Sequence, residues 1–113
     1  MIKGIGVDIV ELDRIPIEKE DFAKKILSQK EYQIYISKQS DKRKREYLGS
    51  RFASKEAYLK ARGKGLGEIP LSQIEILTKD SGKPYFTNDK NAHISLSHER
   101  HYAIAYVVIE EGI

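Results

Sequence analysis

The chain has no cysteine among its 113 residues. This absence excludes disulfide bonds, zinc–thiolate sites and a thiol nucleophile, and a reducing compartment tolerates it. The chain also lacks an apolar run of the roughly 18 residues that a membrane span needs. Its start, Met1–Ile5, lacks the long apolar core and cleavage site of a signal peptide. We therefore expect a cytoplasmic protein that does not bind a membrane.

The chain also lacks a large excess of positive or negative charge. The 20 Lys and Arg residues and 17 Asp and Glu residues give a formal net charge of +3. A balance this mild argues against a protein that coats nucleic acid, which would need a broad cationic surface. There is no internal repeat, linker or low-complexity segment. At this length we expect residues 1–113 to form a single domain.

Apolar spacing predicts a first strand around Ile5–Ile9 and three helices in the first half of the chain. After a bend at residues 11–16, the first helix contains Phe22–Leu27. Ser28 and Glu31 have the spacing of a capping box, so a second helix is expected to begin there. This second helix is expected to bury Tyr32, Tyr35 and Ile36.

The third predicted helix is the longest. We expect Asp41 to cap its start and Gly63 to end it. It contains Glu56, which makes the helix important for function. Its predicted buried stripe consists of Leu48, Phe52, Lys55 and Leu59.

The second half of the chain has the pattern of two β-hairpins. Residues 74–76 alternate between apolar and polar, a turn follows at residues 80–84, and Tyr85–Phe86 is extended again. The second hairpin joins residues 93–97 to residues 102–109. We therefore expect an α+β fold in which helices pack on a mostly antiparallel sheet.

Two acidic residues, Asp8 and Glu56, are candidate ligands of a metal ion. Asp8 lies in the first predicted strand and shares a face with Gly4 and Gly6, which leaves room beside its carboxylate. The long helix could bring Glu56 to meet it. Carboxylate oxygens suit a hard cation such as Mg²⁺, and this pairing indicates phosphate chemistry.

Other polar clusters each permit two interpretations. Glu56 and Lys60 have i, i+4 spacing, which suits either an exposed ion pair or a carboxylate and an ammonium that act on a phosphate. Lys42–Arg45 opens the long helix, where the helix dipole disfavours cations, so this segment either faces solvent or binds an anion. Gly63–Gly67 could approach a phosphate but is not a P-loop. His98 is either a polar turn residue or a ligand.

Three blocks of sequence, in this order, resemble the holo-acyl-carrier-protein synthase family. They are residues 4–15 (GIGVDIVELDRI), residues 51–57 (RFASKEA) with Lys60, and residues 95–98 (SLSH) before Tyr102–Ala105. The resemblance runs from residue 2 to about residue 110. It implies the 4'-phosphopantetheinyl transferase-like fold and the transfer of phosphopantetheine from coenzyme A to a serine of apo-acyl carrier protein, with release of adenosine 3',5'-bisphosphate.

The same resemblance assigns roles to individual residues. Asp8 and Glu56 would hold Mg²⁺, and Lys60 would contact the transferring phosphate or assist the leaving group. Glu56 or a metal-bound water would take the serine proton. The residues expected to contact coenzyme A are Lys42, Arg43, Arg51, Lys60, Gly63, Gly65 and His98.

The resemblance also implies two kinds of protein partner. Arg14, Lys24 and Lys25 would bind the acidic carrier protein. Glu18, Glu20 and Asp21 place acids in the same segment, so docking is expected to be weaker or to use another face. Members of this short form are trimers with active sites shared between subunits, so we expect a homotrimer.

A second class of function is compatible with the composition: a non-catalytic α+β module that binds nucleotide or nucleic acid through Lys42–Arg45. It predicts a polyanion affinity that depends on salt but not on Mg²⁺, Asp8 or Glu56. Aromatic spacing argues against it, because the rings fall at helical core positions rather than on a stacking platform. These aromatic residues are Tyr32, Tyr35, Tyr47, Phe52 and Tyr58.

Overall fold

The structure, a computed structural model, describes residues 1–112. The helices are α1, Glu20–Ile26; α2, Gln29–Ile36; and α3, Asp41–Arg62. The strands are β1, Ile2–Glu11; β2, Ile76–Thr78; β3, Pro84–Phe86; β4, Ala92–His98; and β5, Tyr102–Glu110. Short 3-10 turns occur at Leu12–Arg14 and Leu71–Gln73. In this described part of the chain, no helix has the length and apolar character of a membrane span.

The strands form two antiparallel sheets. One has three strands in the order β1–β5–β4, and the other pairs β2 with β3. One core cluster lies between α3 and the three-stranded sheet, where Ala53 and Ala57 of α3 pack with Ala105 and Val107 of β5. A second cluster joins α1, α2 and the N-terminal half of α3. The predicted α+β fold, with helices on antiparallel sheets, is confirmed.

Two glycines let α3 approach β1 closely. A Cβ added to Gly6 would overlap the carbonyl oxygen of Ala57 and would lie 2.8 Å from the amide nitrogen of Ala61. A Cβ added to Gly4 would overlap the carbonyl oxygen of Ala61. The space predicted beside Asp8 is therefore filled by the backbone of α3. The glycines bring this helix to the strand instead of leaving an open cleft.

The predicted helix ends are nearly correct. Ser28 and Glu31 form the complete capping box of α2. Gly63 ends α3 in the left-handed conformation, with φ 70°. The cap of α3 is Ser40 rather than Asp41, because the Ser40 hydroxyl accepts from the Arg43 amide at 3.2 Å. Asp41 is the first helical residue, where its negative charge suits the helix dipole.

The burial predicted for α2 is only partly correct. Tyr35 is buried and Tyr32 is half-buried, whereas Ile36 is 48% exposed. The buried side of this short helix carries Glu31 and Tyr35, which have i, i+4 spacing, and Ile36 is turned away from that side. In α3 the predicted stripe is correct, with Leu48, Lys55 and Leu59 buried and Phe52 half-buried.

Both predicted hairpins are confirmed, with small shifts at their ends. β2 pairs with β3 and β4 pairs with β5. Ile74 precedes β2 as the cap of a 3-10 turn. His98 is the last residue of β4 and pairs with Ala103, so it belongs to the strand rather than to the turn.

Candidate active site

The contact between β1 and α3 brings three of the predicted site residues together. Lys60 of α3 donates from Nζ to Asp8 Oδ1 at 3.2 Å and to the Val7 carbonyl at 3.0 Å. The Asp8 side chain is 20% exposed and that of Lys60 is 57% exposed, so this cluster opens to solvent. Glu56 lies one helical turn before Lys60 on α3. The carboxylates of Asp8 and Glu56 and the ammonium of Lys60 therefore form one solvent-accessible cluster.

The pKa of Glu56 is shifted by its position beside Asp8. Burial and the negative charge of Asp8 both raise the pKa of Glu56, and the Lys60 charge opposes them. Among the described residues, Lys60 makes its ion pair with Asp8 rather than with Glu56. Of the two interpretations of Glu56 and Lys60, the plain ion pair between them is therefore not the contact seen among the described residues, because β1 offers the ammonium a second carboxylate and a carbonyl oxygen.

The residues at this place fit a magnesium ion. Within residues 1–112, the structure shows no group of three or more His, Cys, Asp or Glu side chains placed to hold a metal ion. Mg²⁺ commonly uses one or two carboxylates together with water and substrate phosphate oxygens. Asp8 and Glu56 supply two carboxylates whose mutual repulsion a cation would relieve.

A second feature is a cationic cavity of about 740 Å³ between α3, the β2–β3 hairpin and β4. We call it the α3–β2 cavity. Four of its lining residues are basic: Lys38, Arg43, Arg51 and His98. Glu46 also lines it, and its carboxylate lies 3.9 Å from His98 Nδ1. Four basic side chains around a cavity of this size suit an anionic ligand such as a nucleotide phosphate.

The back of the α3–β2 cavity is built from buried polar groups. The Arg51 guanidinium lies 4.5 Å from the centre of the Tyr47 ring and donates from Nη2 to Thr78 Oγ1 at 3.3 Å. Arg51 Nε and the Tyr47 hydroxyl are buried and have no hydrogen-bond partner among the described residues. Burial raises the pKa of Tyr47 to about 12, so its hydroxyl is a neutral donor at physiological pH.

The predicted contacts for coenzyme A do not all meet within one chain, although Arg43, Arg51 and His98 share the α3–β2 cavity. Arg43 and Lys60 are separated by about 25 Å along α3, given a rise of about 1.5 Å per residue. Lys42 is exposed at the start of α3, and Gly63 and Gly65 lie beyond its other end. The Gly65 amide, moreover, already donates to the Glu68 carboxylate at 2.9 Å. The structure thus divides these residues into two groups at opposite parts of the helix.

The residues predicted to bind a protein partner lie on an exposed face. The Arg14 side chain is 84% exposed and pairs with Glu11 at 3.1 Å, and Lys24 pairs with Glu20 at 3.1 Å. Lys25 is exposed on α1. Beside Arg14 is an open groove of about 570 Å³, which the sequence reasoning missed, and its apolar lining includes Ile9, Ile15, Phe22, Phe52 and Tyr102.

Comparison with known proteins gives a uniform result. Residues 4–107 match the family model of the 4'-phosphopantetheinyl transferase superfamily. The chain is 47% identical to a holo-[acyl-carrier-protein] synthase of Geobacillus sp. (strain WCH70), over 97% of this chain and 98% of that protein. It is 45% identical to the Anoxybacillus flavithermus protein of the same description, over 97% of each.

Solved structures agree with these matches. The crystal structure of a holo-(acyl-carrier-protein) synthase from Bacillus anthracis in complex with CoA (3',5'-ADP) superposes with a TM-score of 0.90 and 39% identity, covering 99% of each chain. The Helicobacter pylori synthase in complex with coenzyme A superposes with a TM-score of 0.78 and 30% identity, covering 94% of this chain and 99% of the other. Both of these relatives were solved in complex with coenzyme A or 3',5'-ADP.

Proposed function

This chain belongs to the 4'-phosphopantetheinyl transferase superfamily, and from that premise we propose how its residues act. It transfers the 4'-phosphopantetheine group from coenzyme A to a serine of apo-acyl carrier protein, and adenosine 3',5'-bisphosphate is the other product. The observation that carries the assignment of the site is the cluster of Asp8, Glu56 and Lys60 at the contact of β1 and α3.

The reaction is a substitution at phosphorus. The serine oxygen bonds to the phosphorus that carries pantetheine, and the bond from that phosphorus to the oxygen bridging the two phosphates breaks. The bridging oxygen leaves with adenosine 3',5'-bisphosphate, and the serine proton passes to a base. The protein's task is to align the two substrates and to stabilise negative charge on the phosphate oxygens.

The cluster at β1 and α3 provides the groups for this task. Asp8 and Glu56 would hold Mg²⁺, which would supply positive charge to neutralise phosphate oxygens. Lys60, whose side chain is largely exposed, donates to the transferring phosphate or to the leaving oxygen. Glu56 accepts the serine proton, because Asp8 is already engaged by Lys60.

The α3–β2 cavity binds the nucleotide end of coenzyme A. Arg43 and Arg51 line it and supply cationic donors for the phosphates, and His98 lines it as a further polar contact. Lys42, Gly63 and Gly65 are further contacts by resemblance to the family. The separation of these groups along α3 supports a site completed by a neighbouring subunit.

A homotrimer accounts for this separation and for an exposed apolar sheet face. On the face of β1 and β5 turned away from α3, the side chains of Ile5, Val7, Ile9, Tyr102, Ile104 and Tyr106 are 40–59% exposed. Val7 pairs with Tyr106 and Ile9 pairs with Ile104 in the sheet, so these side chains form one continuous patch. A contiguous apolar patch of this kind marks a surface that binds protein. We place the subunit contact there.

Replacing Ile5 with Lys is expected to abolish the trimer and to lower transferase activity by about tenfold or more, because a charge would be buried in the subunit contact. Light scattering coupled to size exclusion measures the mass, and circular dichroism checks the fold. Lys90→Glu, an exposed change outside this patch, is the matched control. A trimeric Ile5→Lys variant, or a monomeric wild-type protein with full activity, would refute this arrangement.

The carrier protein docks on the face that contains Arg14, Lys24 and Lys25. The part of the apolar groove lined by Ile15, Phe22 and Phe52, beside the residues Ile9 and Tyr102 given to the subunit contact, adds a place for an apolar side chain of the partner. Because Lys24 is paired with Glu20 and Arg14 with Glu11, each cation gives up part of its attraction for an acidic partner. We also propose that residues 1–113 act as one domain and that the protein is cytoplasmic.

The mass of an apo-acyl carrier protein tests the function. Incubation with this protein, coenzyme A and Mg²⁺ is expected to add one phosphopantetheine group, and EDTA is expected to prevent the addition until Mg²⁺ is restored. A non-catalytic nucleotide-binding module would give no gain in mass while still binding coenzyme A in a salt-dependent manner. That outcome, seen with several carrier proteins, would overturn the proposal.

A further inference from the structure

Glu31 is a fully buried carboxylate that no step of the proposed reaction uses. Its Oε1 accepts from the Ser28 amide at 2.8 Å and from Lys55 Nζ at 2.5 Å. Its Oε2 accepts from the Ile76 amide at 2.8 Å. One side chain therefore joins the start of α2, the middle of α3 and the start of β2.

Two buried cations share this carboxylate unequally. Lys55 is fully buried, and it donates to Glu31 and to the Ile26 carbonyl at 2.5 Å. Arg51 is 6% exposed, and its Nε lies 3.9 Å from Glu31 Oε2, beyond hydrogen-bond distance. The guanidinium is attracted to Glu31, but its Nε forms no hydrogen bond with the carboxylate. Arg51 can therefore offer its charge to an anion in the α3–β2 cavity.

Arg51 is fixed on its other sides as well. Its guanidinium lies over the Tyr47 ring, and its Nη2 donates to Thr78 at the end of β2. Thr78 follows Ile76, whose amide donates to Glu31, by two residues. Glu31 thus attracts the cation directly and also holds the strand that supplies the cation's second anchor.

We propose that Glu31 is a positioning residue for coenzyme A binding, which sets Arg51 and the end of β2 at the back of the α3–β2 cavity. The inference rests on the proposed function, since it takes this cavity as the nucleotide site. Stability alone does not call for such a cluster, because well-packed apolar side chains of similar volume are commonly as stable as a buried ion network. A fixed guanidinium, in contrast, is pre-organised to bind phosphate.

Glu31→Gln is the direct test, because glutamine keeps the shape of the side chain and one acceptor oxygen but removes the charge. The KM for coenzyme A is expected to rise about tenfold, because a displaced Arg51 would lose its charge-assisted hydrogen bond to the phosphate of the ligand. The kcat is expected to stay within about twofold, since Asp8, Glu56 and Lys60 are untouched. The calorimetric Kd for adenosine 3',5'-bisphosphate is expected to rise by the same factor as KM.

A double-mutant cycle shows whether Glu31 acts through Arg51. In an Arg51→Met background, Glu31→Gln is expected to raise KM no further. Additive effects, or a lower kcat at unchanged KM, would overturn the inference. Wild-type protein that does not bind the bisphosphate would instead overturn the nucleotide site itself.

Thr78→Val provides a second variant if Glu31→Gln does not fold with Lys55 left uncompensated. Thr78 is exposed, so its replacement removes the hydroxyl that anchors Arg51 without opening the core. We expect the KM for coenzyme A to rise about threefold with kcat preserved, the smaller effect of losing one weak hydrogen bond. An unchanged KM in a folded Thr78→Val variant would contradict the proposed positioning.

Discussion

Glu56→Gln is expected to lower the rate of phosphopantetheine transfer by roughly 10²–10⁴-fold, the usual range for loss of a catalytic acid or base. Glutamine has nearly the shape of glutamate, and Glu56 is only half-buried, so the fold is expected to survive. The variant cannot accept the serine proton, and it offers the metal ion a neutral oxygen in place of a carboxylate. Rates are measured from the mass of the carrier protein at saturating coenzyme A and carrier.

The matched control is Glu110→Gln, which removes an acid that is 58% exposed and lies away from the cluster at β1 and α3. Its rate is expected to stay within about twofold of wild type, as for a surface charge outside the reaction. Binding of Mn²⁺, followed by electron paramagnetic resonance, gives a second readout that does not depend on turnover. Glu56→Gln protein with near-wild-type rate and Mn²⁺ affinity would exclude Glu56 from both roles.

The features that sequence predicted well are those fixed by neighbouring residues. The capping box at Ser28 and Glu31, the left-handed Gly63 and the two hairpins each depend on a few consecutive positions. The sequence predicted that Gly4 and Gly6 leave room beside Asp8 and that the long helix could bring Glu56 to meet it. The helix does approach Asp8, but its backbone fills the predicted room at the two glycines.

The features that sequence did not predict depend on contacts between distant segments. Lys55 was placed correctly in the buried stripe of α3, but no local pattern indicates that its partner is Glu31 of another helix. Whether Lys60 pairs with Asp8 or with Glu56 likewise depends on how closely α3 approaches β1. A signal for the buried pair did exist, since an ionisable residue in a buried stripe requires a buried partner.

Gly6→Ala is expected to be a strongly damaging substitution at the contact of β1 and α3. The new methyl group would overlap the Ala57 carbonyl, so α3 would have to move away from the strand. Overpacking of this kind costs about 1–3 kcal/mol, and more where backbone must move. The movement also separates Glu56 and Lys60 from Asp8, and a misplacement of about 1 Å can cost roughly 10²-fold in rate.

Chemical denaturation and the carrier-protein mass assay together test this expectation, with Gly112→Ala as the control. A Cβ at Gly112 meets no atom within 4 Å, so this variant is expected to match wild type in both measurements. If folded Gly6→Ala protein retained both the free energy of unfolding and the transfer rate of wild type, the close approach of helix and strand would not be what assembles the site. A loss of rate larger than the unfolded fraction explains would show that the glycine serves the geometry of the acids as well as the packing of the core.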